Sequence, residues 1–330
     1  RGRPRRGSGV TLPTVAVVIC AYTQQRWGDL QAAVESAKRQ PEATEVVVVI
    51  DHEPELLLRA AARWPELRVV PNTEDRGLSG ARNTGVALAD SDVVAFLDDD
   101  AAADPDWLMH LVEALELPDV VGVGGRAIPS WPDATGAGPF PDELLWIVGC
   151  SYTGLPTEAG DVRNVIGSSM AFRRDVLLAA GGFRSGIGRV GNQPLGCEET
   201  ELCIRIAQMR PESRIRYEPR STVSHRVSPD RVSMRYVRRR SYYEGISKAV
   251  LSRRVGARDS LSSEGTYLTR VLPGALLREL GALGRGGGTR ALAIVTSVAA
   301  TVTGYAVGRT LGTVVVRTAA PAPARERVVV

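Results

Sequence analysis

A chain of 330 residues, 44% hydrophobic and 24% charged, with 34 glycines, 20 prolines and 5% aromatics, is long enough to bury a large α/β core. Collagen, disordered, coiled-coil and disulfide-scaffold architectures fit that composition poorly. The formal net charge is +4, and Arg1, Arg3, Arg5 and Arg6 supply as many positive charges by themselves, so the body of the chain is balanced and a nucleic-acid partner is not expected.

Residues 1–12 read as a disordered basic tail. Thr14–Cys20 is a continuous β-branched run, the pattern of a parallel strand buried on both faces. A helix pattern over 29–39, a strand over 45–50 ending at Asp51, a helix over 56–63 and a short strand over 67–70 continue a βαβαβ rhythm. A helix over 79–89, a buried strand over 92–97 and a helix over 107–115 follow. An open α/β sheet binds ligands beyond the carboxyl ends of its strands, which is where Asp51 and Asp98–Asp100 fall.

From Gly122 to Asn164 glycine, proline and tryptophan dominate, and long loops over the site are expected. Residues 168–172 return as a strand, 174–180 as a short helix, and 198–210 as a helix with Glu198, Glu199 and Glu201 in its first turn. Between Arg205 and Arg258 there are 15 Lys/Arg against four Asp/Glu, with Arg231, Arg235, Arg238 and Arg239 at helical spacing, which predicts a cationic amphipathic surface. Residues 291–308 carry no charge. Their Ala, Thr, Val and Ser content makes insertion into a bilayer marginal, so a buried or interfacial helix competes with a span. The tail 318–330 reads as loose. Cys20, Cys150, Cys197 and Cys203 lack paired zinc spacing and read as reduced, which, with no apolar leader, predicts a cytoplasmic location.

Three adjacent carboxylates repel one another unless they share a cation, and hard oxygen ligands select Mg²⁺ or Mn²⁺. An acidic capping turn accounts for Asp98–Asp100 equally well on composition alone. The order of segments separates the two. The first strand followed by Ala21-Tyr22-Thr23, the strand ending at Asp51, the stretch Gly77-Leu78-Ser79-Gly80-Ala81-Arg82-Asn83-Thr84-Gly85, the triplet Asp98–Asp100 and Gly196-Cys197-Glu198-Glu199-Thr200-Glu201-Leu202-Cys203-Ile204-Arg205 together resemble the inverting glycosyltransferase family 2, over roughly residues 14 to 250. The stretches VIDHEP, RGLSGARNTG, VGCSYTGLP and QPLGCEETELC are similar to those of actinobacterial proteins of the glucosyl-dolichyl-phosphate glucuronosyltransferase type.

The resemblance implies a glycosyltransferase-A fold: an open, mostly parallel Rossmann-like sheet with helices on both faces, here with a C-terminal helical extension. It divides the chain into a catalytic domain at 13–228, with a nucleotide-binding half (13–125) and an acceptor half (126–228), and a basic and apolar, membrane-associated helical region at 229–317. It implies metal-dependent transfer, with inversion, of a sugar from a nucleotide diphosphate donor, UDP by preference, to the hydroxyl of a lipid-linked or cell-envelope glycan. Ala21 and Tyr22 would line the nucleoside pocket, Asp51 would meet the base, Arg82 the diphosphate, and Asp98 and Asp99 the ribose and the metal's water shell. Asp100, with Asp98 and His225, would hold Mn²⁺ or Mg²⁺. Glu199 stands where the family more commonly has an Asp base, with Glu198 as the alternative; a purely structural reading has this cluster capping its helix and pairing with Arg205. Arg226 and Arg231 would close over phosphate. A lone histidine such as His225 is ordinarily structural. Trp131 and Trp146 are candidates to stack on the acceptor sugar, and the basic helix with the apolar stretch would hold the enzyme at the cytoplasmic membrane face.

A nucleotidyltransferase would also place acids beyond such a sheet, but should carry a Gly-rich loop after its first strand, and Cys20–Trp27 contains no glycine. A non-catalytic sugar-binding relative of the same fold is the third reading, against which the intact acids speak.

Overall fold

The computed structural model describes residues 13–132, 136–189 and 194–310; the tails expected at 1–12 and 318–330 lie outside them. Strands β1 (Val15–Ala21), β2 (Ala43–Ile50), β3 (Arg68–Pro71) and β4 (Val93–Asp98) alternate with helices α1 (Trp27–Lys38), α2 (Pro54–Arg63) and α3 (Leu78–Leu88). The four strands are parallel in the order β3-β2-β1-β4. Side chains of a strand alternate between faces. Val15, Val17 and Ile19 accordingly join a core with Leu30, Leu56 and Trp107, while Ala16 and Val18 join a second core with Ala81, Val86 and Phe172.

The second half supplies β5 (Ala101–Ala103), α4 (Trp107–Leu115), β6 (Val120–Ser130), β7 (Gly160–Asp161), β8 (Ser169–Arg173), α5 (Arg174–Ala179), α6 (Glu198–Met209) and β9 (Arg214–Arg226). Strand β8 runs antiparallel between β4 and β6, β6 is parallel to β9, and β5 and β7 pair antiparallel with β9. The sheet is thus parallel through its first half and mixed in its second.

The loops expected over 122–164 are partly a strand. Strand β6 crosses Val120–Ser130, and its glycines mark close packing rather than turns. A Cβ at Gly122 would stand 2.5 Å from Phe172, one at Gly124 2.6 Å from Val165, and one at Gly125 2.3 Å from Ser169 Oγ. Beyond it a 3₁₀ helix spans Asp142–Val148.

After a 3₁₀ turn at Pro229–Arg231 come α7 (Met234–Val255), α8 (Ala257–Ser260), α9 (Glu264–Thr266), a π-helical turn (Tyr267–Val271) leading into α10 (Leu272–Gly281), and α11 (Gly287–Thr310). These helices share a third core with the 3₁₀ segment, built from Phe140, Leu144, Val237, Leu272 and Ile294. Helices α7 and α11 approach backbone to backbone: a Cβ on Gly245 would lie 2.1 Å from the Thr301 carbonyl oxygen, and one on Gly304 2.0 Å from that of Tyr242. Helix α11 is long and apolar enough to cross a membrane by length and composition, with a mean hydropathy of 1.6, and a third of its apolar window is buried against the rest of the protein. Arg235, Arg238 and Arg239 are exposed along α7, whereas Arg231, expected on the same surface, precedes the helix and is buried.

Candidate active site

Three carboxylates lie together because β4 ends at Asp98 and β5 begins at Ala101, leaving only a tight turn between them. The antiparallel register of β5 on β9 sets Ala101 opposite His225, and the Arg226 N–H donates to the Asp100 carbonyl at 2.8 Å. His225 Nε2 is therefore 3.2 Å from Asp100 Oδ1. One ligand atom each from Asp98, Asp100 and His225 lie within 4.8 Å of one another. The buried His225 Nδ1 and Asp99 Oδ2 have no hydrogen-bond partner among the described residues. Two carboxylates and an imidazole converging in this way, beside polar atoms left without partners, fit a divalent cation of the Mg²⁺ or Mn²⁺ type.

Two guanidinium groups already face Asp99 and Asp100. Arg26 Nη1 lies 2.9 Å from both Asp99 Oδ1 and Asp100 Oδ2, and Arg231 Nη1 lies 3.6 Å from Asp100 Oδ2. Burial raises the Asp100 carboxyl, but His225, Arg26 and Arg231 outweigh it and hold the group well below the usual carboxylate range. Burial opposes charge on His225, and the Asp100 carboxylate more than compensates, keeping the imidazole protonated well above its ordinary range. Asp99 goes the other way. Burial, together with the neighbouring Asp100 and Asp98, lifts it to about 7 despite Arg26.

The acids of α6 divide among separate partners. Glu201 accepts from Arg205 at 2.8 and 3.0 Å and pairs with Arg184 at 3.1 Å. Glu198 accepts from Arg82 at 3.1 Å. Arg82, 2% exposed, also reaches Asp98 at 3.3 Å and the Gly167 carbonyl at 3.0 Å, tying α3, the β4 turn and α6 together. Glu199 receives no hydrogen bond or ion pair from another side chain among the described residues. Burial and the neighbouring Glu198 push its carboxyl up to about 8, against the pull of Arg82. Pairing with Arg205 thus falls to Glu201 alone. Cys197, just before the helix, holds φ at 74°, a left-handed conformation that costs a non-glycine residue about 1–2 kcal/mol and turns Glu198 and Glu199 sharply into the site.

A cavity of about 730 Å³ gathers most of the expected residues: Ala21, Tyr22, Asp51, Arg82, Asp98, Asp99, Asp100, Trp146, Glu198, Glu199 and His225 all line it. Asp51 also pins the loop before α3, accepting from Asn72 at 2.7 Å and from the Gly77 N–H at 3.0 Å. Trp131 is not brought to the cavity; it leaves the end of β6 in another direction and stacks on Phe140 with ring centroids 5.7 Å apart. Arg226 is likewise turned outward, where Asp29 of α1 holds it, so of the two arginines expected to close over phosphate only Arg231 meets the acids. Arg26 and, from the C-terminal helices, Arg240, Lys248 and Tyr267 line the cavity without having been singled out in the sequence. Arg26 carries one local signal, a lone cation in the loop after β1; the other three come from elements that only the tertiary fold brings close.

A sheet of this order with an acidic turn at its carboxyl edge, opposite an acid-led helix, is the arrangement of the glycosyltransferase-A fold. Solved structures of that fold resemble it. A mannosyltransferase from Pyrobaculum calidifontis, determined in complex with GDP-Man and Mn²⁺, superposes with a TM-score of 0.56 at 20% identity, covering 88% of this chain and 87% of that one. GalNAc-T7 with UDP, GalNAc and Mn²⁺ gives a TM-score of 0.51 at 17% identity, covering 79% of this chain and 56% of the other. The model of the family described as glycosyl transferase family 2 matches residues 16–179. The glucosyl-dolichyl phosphate glucuronosyltransferase of Haloferax volcanii is 37% identical over 242 residues, 72% of this chain and 77% of that protein. The chain belongs to glycosyl transferase family 2.

Proposed function

We propose that this protein transfers a sugar, with inversion, from a nucleoside diphosphate donor, UDP by preference, to the hydroxyl of a lipid-linked sugar at the cytoplasmic face of a membrane. The name carried by the Haloferax relative supports a glucuronosyl donor and a glucosyl lipid phosphate acceptor. Catalysis is assigned to residues 13–228, with the helices from 229 onward on the acceptor side.

The observation that carries this reading is the one carboxylate of the α6 cluster left uncommitted. Glu198 is held by Arg82 and Glu201 by Arg205, whereas Glu199 faces the cavity that also holds the acidic turn. A divalent cation held by Asp98, Asp100 and His225 would neutralise charge on the departing diphosphate. Arg26 and Arg231 would add their charge to the same oxygens. Ala21, Tyr22 and Asp51 bound the nucleoside, and Asp99 meets the ribose. Glu199 takes the proton of the acceptor hydroxyl as that oxygen bonds to the anomeric carbon, on the face opposite the diphosphate, while the bond from that carbon to the diphosphate oxygen breaks. A carboxyl raised toward neutrality suits that task.

The test is a thermal-shift panel of UDP, GDP and dTDP with Mn²⁺, Mg²⁺ or EDTA, on the wild type and Asp100→Ala. A ligand that binds only the folded state stabilises it by about 2.7 kcal/mol at a hundredfold excess over Kd. The expected result is a UDP shift that needs metal and vanishes in the variant. A shift of equal size in EDTA, or one retained by Asp100→Ala, would overturn the assignment.

A further inference from the structure

The cavity does not end at Glu199. It continues between α7, the π-helical turn, α10 and α11, where Tyr267, Leu268, Leu272, Val298 and Val302 line it. We propose that this extension is the subsite for the phosphate and the first part of the hydrocarbon chain of a lipid-phosphate acceptor. The inference rests on the acceptor reading above and assigns it to residues that no established function covers.

Where the extension leaves the α6 turn, five charged side chains interlock. Arg240 Nη1 is 2.8 Å from Glu244 Oε2, Lys248 Nζ is 2.5 Å from Glu264 Oε1 and 3.7 Å from Glu244 Oε1, and Arg163 Nη1 is 2.9 Å from Glu264 Oε2. All five are mostly buried, and three cations face two carboxylates, which leaves one positive charge uncompensated. An unbalanced charge in a poorly solvated site attracts a counter-ion strongly. A phosphodiester carries one negative charge and matches the surplus, whereas a diphosphate diester carries two. The cluster stands beside the base: the Arg240 guanidinium lies 3.2 Å from where a Cβ on Gly196 would be, and Gly196 begins the turn into Glu198 and Glu199.

Beyond the cluster the walls are apolar and lead outward. Leu268 and Val302 line the cavity, yet are 49% and 61% exposed, so the cleft opens at its far end onto the surface. That surface continues as exposed Leu277, Leu280, Leu283, Leu292 and Val295 on and around α10 and α11, an apolar face of the kind that meets lipid or a partner. A molecule with a sugar at Glu199, one phosphate at Lys248 and Arg240, and a chain leaving past Val302 satisfies each of these features.

Calorimetric titration of the full chain, below micelle-forming concentrations, would compare farnesyl phosphoglucose with methyl phosphoglucose, farnesyl glucoside and farnesyl diphosphoglucose. The expected order places the farnesyl phosphodiester at least about tenfold tighter than the methyl ester, which lacks the chain, and than the glucoside, which lacks the charge. The diphosphate binds no tighter. Lys248→Gln should abolish the preference for phosphate. Val302→Glu, at an exposed position that tolerates charge, should abolish the preference for the chain, and the UDP shift reports that each variant is folded. Equal affinity for the farnesyl and methyl esters, an unchanged chain preference in Val302→Glu, or tighter binding of the diphosphate would overturn the subsite. Loss of these preferences with the metal-dependent UDP shift intact removes only this subsite; absence of the UDP shift removes the transferase reading beneath it.

Discussion

Replacing Glu199 by Gln should make the protein more stable and nearly inactive. The carboxyl is raised from an ordinary 4.5 to about 8 in the folded protein. At 1.36 kcal/mol per unit, that gap corresponds to at most about 5 kcal/mol. Solvent in the cavity reaches this half-buried side chain, and screening leaves about 1–2 kcal/mol. The sign follows from proton binding. Below about pH 4.5 the group is neutral in folded and unfolded chains alike and contributes nothing. As pH rises, the unfolded chain releases its proton first, so the wild type loses stability up to about pH 8 and the loss then levels off. Glutamine, neutral throughout, escapes it. Urea titrations of both proteins between about pH 5 and 9 should show the variant's advantage growing and reaching a plateau near pH 8, while transfer falls by about a hundred- to ten-thousand-fold. A variant less stable than the wild type at pH 8, or an advantage independent of pH, would refute the reasoning.

Further outcomes follow from the surrounding contacts. Arg26→Gln removes the cation nearest Asp99 and Asp100, so the metal-free protein should lose about 1–3 kcal/mol, and Mn²⁺ should raise its melting temperature more than it raises that of the wild type; an equal Mn²⁺ shift would argue against a shared site. Gly125→Ala should destabilise by about 1–3 kcal/mol in urea titration, since the new methyl meets Ser169 Oγ and the Ser221 carbonyl at 2.3 and 2.5 Å. Trp131→Ala should lower the melting temperature without changing acceptor KM, whereas Trp146→Ala, whose indole N–H donates to Tyr267 at 3.0 Å beside the cavity, should raise that KM.

The first half of the sheet was legible because β1, β2 and β4 each contain a run of five or more apolar residues and each connection is helical: the expected strand over 92–97 is β4 at Val93–Asp98, and the helix over 107–115 is α4 to the residue. Strand β6 was missed because its glycines, which accommodate Phe172 and Val165, erase the pattern that a strand ordinarily shows. Strand β9 was hidden by its alternation of arginines with Pro219 and Ser221, yet it carries His225 to the acidic turn. The triplet Asp98–Asp100 could be placed at the sheet's carboxyl edge from local sequence, because it ends a readable strand; Glu198–Glu199 joined it only through the family resemblance, since acids in a helix's first turn cap that helix equally well. Nothing local told Arg226 from Arg231, since an ion pair with Asp29, 197 residues away in sequence, decides which of them turns inward.

The contact between α7 and α11 has a consequence of its own. Where Gly245 and Gly304 let one backbone lie against the other, close atomic contact adds to the apolar burial of Val237, Ala293 and Ile294 in the same helices. Transmembrane helices associate by the same small-residue contacts in hydrocarbon, where no water is available to be expelled. This stretch of the seam therefore sets one wall of the cavity through the fit of two backbones, a fit that does not depend on what its outer side meets.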